Sequence, residues 1–65
     1  MDKPKCKLVG ENGNIFNLIG IASRTLKKNG QIMQANEMTK RIIQDGEAKS
    51  YDEALAIIME YVDAY

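Results

Sequence analysis

Ser50-Tyr51-Asp52-Glu53-Ala54-Leu55-Ala56-Ile57-Ile58-Met59-Glu60-Tyr61-Val62-Asp63-Ala64-Tyr65 is the stretch whose reading decides the fold class. Ser50 followed three residues later by Glu53 is a capping box, in which the hydroxyl accepts from the Glu53 amide while the Glu53 carboxylate reaches back. Asp52 and Glu53 in the first turn also suit the positive end of a helix. From there Tyr51, Ala54, Leu55, Ile58, Val62 and Tyr65 recur at helical spacing on one core face. Ile57, Met59 and Tyr61 widen that face to about 200°, more than the one-sided stripe of a surface helix. Either two other helices pack on it, or part of its width is a partner surface.

Working back along the chain, Asp45-Gly46 closes a second helix expected over Gln31–Gln44. Ile32, Ala35, Met38, Thr39, Ile42 and Ile43 gather within about 140° of its circumference. Glu37 and Arg41, four apart and acid first, are expected to pair along its open side. Asn29-Gly30 supplies a left-handed stop to a first helix expected over Phe16–Lys28. Ile15, Leu18, Ile19, Ala22 and Leu26 form its buried stripe, and Lys27 and Lys28 complement its negative end. Gly20 inside that helix costs about 1 kcal/mol relative to alanine, so it is expected to admit a close neighbour.

Lys5-Cys6-Lys7-Leu8 alternates polar and apolar residues with the period of a half-buried strand. Gly10-Glu11-Asn12-Gly13-Asn14 follows, and Asn-Gly is a strong signal for a tight hairpin turn. Two readings stay open: a short returning strand through Ile15-Phe16, or a turn at Asn12-Gly13 leading straight into a helix capped by Asn14. The second is preferred. The sequence therefore predicts a mainly α domain over residues 5–65, preceded by a loose leader at 1–4. It is a three-helix bundle with a short N-terminal β strand or hairpin, packed around Leu18, Ile19, Ala22, Leu26, Ala35, Met38, Ile42, Leu55, Ile58 and Val62.

With 65 residues the chain makes one domain. Folding at that size buries only about 60% of the surface the unfolded chain exposes. Cys6 is the only cysteine and there is no histidine, so neither a disulfide nor a zinc site is expected to staple the fold. Help must come from well-packed helices or from self-association. No run approaches the roughly 18 apolar residues of a membrane span. No secretory signal is read at the start, and a lone thiol fits a reducing compartment, so the expected setting is cytoplasmic.

The charge is divided. Through Gly30 six basic residues face two acidic ones, a net charge of +4; from Gln31 onward three basic residues face seven acidic ones, a net charge of −4. Such a chain is a strong dipole, and dipoles orient partners. Catalysis is not expected: the usual base poised near neutral pH is missing, and the carboxylate pair Asp52-Glu53 belongs to a helix cap. Gly10-Glu11-Asn12-Gly13 lacks the Lys-Ser/Thr of a phosphate loop. Cys6, on the face it shares with Leu8 and away from Lys5 and Lys7, reads as a structural thiol rather than a nucleophile. No cofactor and no metal are expected.

Two binding readings remain. Arg24, Lys27 and Lys28 form a basic stripe on the first helix that suits phosphate contacts, with Ser23, Asn17 and Asn29 nearby. Against it, a helix-turn-helix would use the third helix for recognition, and that helix carries four acids with no Lys or Arg. Nucleic acid is therefore the secondary reading. The primary one is a non-enzymatic accessory or protein-interaction module, with Tyr51, Ile57, Tyr61 and Tyr65 as the candidate contact surface, since tyrosine and methionine are enriched in interface cores. An unidentified protein is one partner considered. An antiparallel homodimer, basic half against acidic half, is the other.

Cys6-Lys7-Leu8-Val9-Gly10-Glu11-Asn12-Gly13-Asn14-Ile15-Phe16, Ser23-Arg24-Thr25-Leu26-Lys27-Lys28 and Ser50 to Leu55 through Met59-Glu60-Tyr61-Val62 resemble a group of short uncharacterised proteins from Firmicutes and other gut bacteria, some on phages or mobile elements. The resemblance implies a bacterial, cytoplasmic setting. It brings no catalytic or binding residues with it.

Overall fold

The computed structural model describes residues 3–65. Asn14 starts the first helix, α1 (Ile15–Lys28), by accepting the Phe16 amide on its side-chain oxygen at 2.9 Å. The helix stops where expected. Gly30 takes φ +74°, its amide donates to the Lys27 carbonyl at 3.1 Å, and the Gln31 amide donates to the Leu26 carbonyl at 2.8 Å. That pair of bonds is a Schellman motif, which satisfies the last carbonyls of the helix. Gly20 has no close neighbour: a Cβ there would meet nothing within 4 Å.

The second helix, α2 (Ile32–Thr39), does not run regularly to Gln44. Lys40–Gln44 form a π-helical segment, whose wider turn shows in the Asp45 amide donating to the Lys40 carbonyl at 2.8 Å. Such an insertion rotates the residues after it relative to a regular helix. Ile42 is half-buried rather than central, and Ile43 is 52% exposed, although both belong to the expected apolar stripe. Arg41 does not take Glu37 as its partner either. Its guanidinium reaches across to the third helix and the loop before it.

The third helix, α3 (Tyr51–Tyr61), begins at Ser50, whose hydroxyl accepts the Glu53 amide at 3.2 Å. The return arm of the cap goes one residue further back than expected, from the Lys49 amide to Glu53 Oε1 at 2.7 Å. At its other end α3 is shorter than the sequence pattern suggests. Val62 is extended, and Asp63–Ala64 form strand β2, so Val62 and Tyr65 do not continue the helical face.

Strand β1 (Lys5–Cys6) pairs with β2 in parallel, Lys5 opposite Asp63 and Cys6 opposite Ala64. The Asp63 amide donates to the Pro4 carbonyl at 2.8 Å and the Tyr65 amide to the Cys6 carbonyl at 3.0 Å. Parallel strands need a long crossover, and here the three helices supply it. The preferred entry, straight into a helix capped by Asn14, holds, and the alternative N-terminal hairpin is not formed. Nor is the turn at Asn12-Gly13: it spans Leu8 to Glu11, closed by the Glu11 amide on the Leu8 carbonyl at 3.2 Å, with Gly10 at φ +83°. A positive φ at the third turn position is the type II geometry that favours glycine. Asn12 instead accepts the Asn14 amide on its side chain at 2.9 Å, shaping the approach to the helix cap.

Of the leader expected at 1–4, Met1 and Asp2 lie outside the described residues. Lys3 donates to the Met59 carbonyl at 2.9 Å, placing a cation at the end of a helix that carries none in its own last turn.

The three helices pack on one another, with β1 against α1. Cys6, Leu18, Ile19, Ala22, Leu26, Ala35, Met38, Ile57, Ile58 and Val62 form one buried cluster. This is a mainly α three-helix bundle with a short β element. Leu55 and Ile42 line the cluster's edge, while Cys6 and Ile57 take central places. The Cys6 thiol accepts a long bond from the Thr25 hydroxyl at 3.5 Å.

Candidate functional site

An apolar groove of about 400 Å³ opens where the start of α1, the π-helical segment and the start of α3 meet. Asn14 and Ser50, the two side-chain-capped starts, bring Phe16 and Tyr51 to it, and the π-helical segment brings Ile43. These three large side chains are exposed by 67, 46 and 52% respectively. Ile15, Ile19, Ile42 and Ala54 form its floor and walls, and Lys49 and Ser50 its polar rim. The Tyr51 hydroxyl donates to the Gly13 carbonyl, which ties α3 to the loop before α1 and holds the ring against the groove. Exposed apolar surface concentrated in one place marks interaction sites more often than scattered hydrophobic residues do.

The structure splits the expected contact residues. Tyr51 lies at the groove, but Tyr61 is at the opposite end of α3, ten residues or about 15 Å along the helix, and Tyr65 lies beyond β2. Tyr65 is 59% exposed beside β1, and its main-chain oxygen accepts the Leu8 and Val9 amides at 2.6 and 2.9 Å. Tyr61 is half-buried beneath Arg41, whose guanidinium carbon stands 5.8 Å from the ring centre. Ile57 is not a surface residue at all. It is 6% exposed in the core cluster, because both neighbouring helices pack on α3, while Met59 on the same widened face stays 51% exposed.

Phe16 and Ile43 are not legible as site residues in the sequence. Phe16 carries one usable signal: it is a large aromatic one position off the stripe of Ile15, Leu18 and Ile19, at the exposed start of an otherwise amphipathic helix. Ile43 sits within the expected core arc of α2 and becomes exposed through the π-helical turn.

Arg41 organises the far side. Its Nε lies 2.9 Å from Glu47 Oε1, its Nη1 2.9 Å from Glu60 Oε1 and 3.1 Å from the Tyr61 hydroxyl. The bonds to Glu60 first, then Tyr61 and Glu47, hold the guanidinium charged well above its ordinary range, and Arg41 in turn lowers the Glu60 carboxyl. This is an ion-pair network between surface groups, and it has no vacant acid or base.

Arg24, Lys27 and Lys28 are all exposed on α1. Among the described residues none of them enters an ion pair. No cluster of three His, Cys, Asp or Glu side chains that could hold a metal occurs among the described residues. No helix is long and apolar enough to cross a membrane. No family model, curated protein or solved structure matches this chain.

Proposed function

We propose that this chain is a non-enzymatic interaction module that pairs with a second copy of itself through the groove at Phe16, Ile43 and Tyr51. The observation that carries the reading is the gathering of three large, exposed apolar side chains around one groove. A second copy is the favoured occupant because a chain this short, without disulfide or metal staple, gains most from burying apolar area by self-association. The groove is walled by both charge halves, α1 from the basic one and α3 from the acidic one. In the proposed antiparallel pair the basic half of each copy is set against the acidic half of its mate. The resemblance to short proteins of gut bacteria supports a bacterial, cytoplasmic setting for this pairing.

Dilution of isotope-labelled protein tests this reading. Amide signals of Phe16, Ile43 and Tyr51 should move with concentration while those of Leu26 and Met38 stay still. Concentration-independent spectra would reject the self-pairing.

A nucleic-acid-associated role through Arg24, Lys27 and Lys28 is the second reading, supported by their exposure and by the absence of any carboxylate paired with them among the described residues. Reversing the three charges should abolish retention on mixed nucleic acid at low salt. Unchanged retention would remove it.

A further inference from the structure

We propose that the cleft between α1 and the later part of α2 binds a phosphate group. Ser23 and Lys27, one helical turn apart on α1, face Asn36, Thr39, Lys40 and Gln44 across a cleft of about 430 Å³. Asn36, Lys40 and Gln44 recur every four residues, and the wider π-helical turn keeps Gln44 in line with the other two rather than letting the row drift around the helix. The result is a lining of two ammonium groups, two carboxamides and two hydroxyls, with Ile43 beside them and no carboxylate in it.

The donors are largely free. None of the hydrogen bonds among the described residues uses the side chains of Ser23, Lys27, Asn36 or Gln44. Lys40 touches only Asp45, at 3.4 Å, with its side chain 62% exposed, so it can turn into the cleft. Thr39 is committed, donating to the Ala35 carbonyl at 3.0 Å. Arg24 and Lys28 flank the site on α1 and raise the positive potential around it. A carboxylate offers two oxygens; a phosphate offers three or more with up to two charges, and so better matches the five donor groups that remain beside the committed Thr39. The phosphate has two candidate sources, a small phosphate compound or a nucleic-acid backbone. The cleft adjoins the apolar groove at Ile43, which lines both, and it shares Ser23 and Lys27 with the nucleic-acid reading.

The test is a titration of the full chain, followed by nitrogen-15 NMR at low salt, with pyrophosphate and separately with a single-stranded oligothymidylate. The expected result is a saturable shift of the Asn36 and Gln44 side-chain amides with at least one of them. Lys27→Gln and Lys40→Gln should each weaken it at least about tenfold. Lys5→Gln, the same charge change on β1 outside the cleft, should leave it nearly unchanged. Shifts with pyrophosphate assign a small phosphate ligand, and shifts with the oligonucleotide alone assign a nucleic-acid backbone. Still side-chain amides with both, or equal weakening by Lys5→Gln and Lys27→Gln, would overturn the proposal without touching the groove, which contributes no side chain to this readout.

Discussion

Arg41 and Glu60 meet at 2.9 Å between Nη1 and Oε1, joining the π-helical end of α2 to the last turn of α3. The pair replaces the local Glu37–Arg41 contact with one that spans 19 residues of sequence. It closes the bundle at the end of α3 where Lys3 also sits, and both of its charges are partly open to water, so its strength depends on salt.

The Glu60 carboxyl is held below its ordinary value of 4.5, chiefly by its hydrogen bond to Arg41. A carboxyl with a lowered folded value adds stability that is present above the ordinary value and is lost as the pH falls through the lowered one. Glu60→Gln should therefore lower stability at neutral pH and make the acid limb of the stability profile shallower. Urea midpoints measured from neutral pH down through the carboxylate range check this; an acid limb parallel to that of the natural chain would contradict it.

The glycines separate by backbone geometry. Gly10 and Gly30 have φ of +83° and +74°, where a Cβ is strained, so Gly10→Ala and Gly30→Ala should each cost about 1–2 kcal/mol. Gly20 lies inside α1 with open space where a Cβ would stand, and Gly20→Ala should stabilise by about 0.5–1 kcal/mol. Gly13→Ala, whose Cβ would rest 3.6 Å from the Tyr51 hydroxyl, should be close to neutral. Chemical denaturation of the four variants tests the order.

Ile57 distinguishes core from contact surface. As a buried residue its truncation to alanine should cost about 2–5 kcal/mol. For a chain of this length that is a large share of a total near 3–10 kcal/mol. Ile57→Ala should thus broaden or abolish the cooperative transition at every concentration, whereas Phe16→Ser should match the natural chain in dilute solution and fall below it only at concentrations where the natural chain pairs. A silent Ile57→Ala would return the residue to the surface.

The features legible in the residues are local. The stripe of Leu18, Ile19, Ala22 and Leu26, the stop at Asn29-Gly30 and the start at Ser50 all depend on partners within one or two turns, and all are found in place. The illegible ones depend on distant chain. Asp63–Tyr65 leave helical geometry because their main-chain groups pair with Pro4–Val9, and no nearby residue announces that exchange. The same pairing gives the N-terminal strand its partner, so the hairpin signal of Asn12-Gly13 has nothing to close. The candidate surface fails in part for a related reason. Periodicity locates an apolar face but does not say how many neighbours will cover it, so it places Ile57 on the surface, shows Phe16 only as an aromatic just off the α1 stripe, and gives no sign of Ile43.

Self-pairing through the groove is most directly tested by sedimentation equilibrium of the natural chain and of Phe16→Ser, at low and at physiological salt. The predicted result is a dimer that weakens as salt rises, and a folded monomer once Phe16 is replaced. A natural chain that stays monomeric at every concentration, or a Phe16→Ser variant that dimerises as well as its parent, would contradict it.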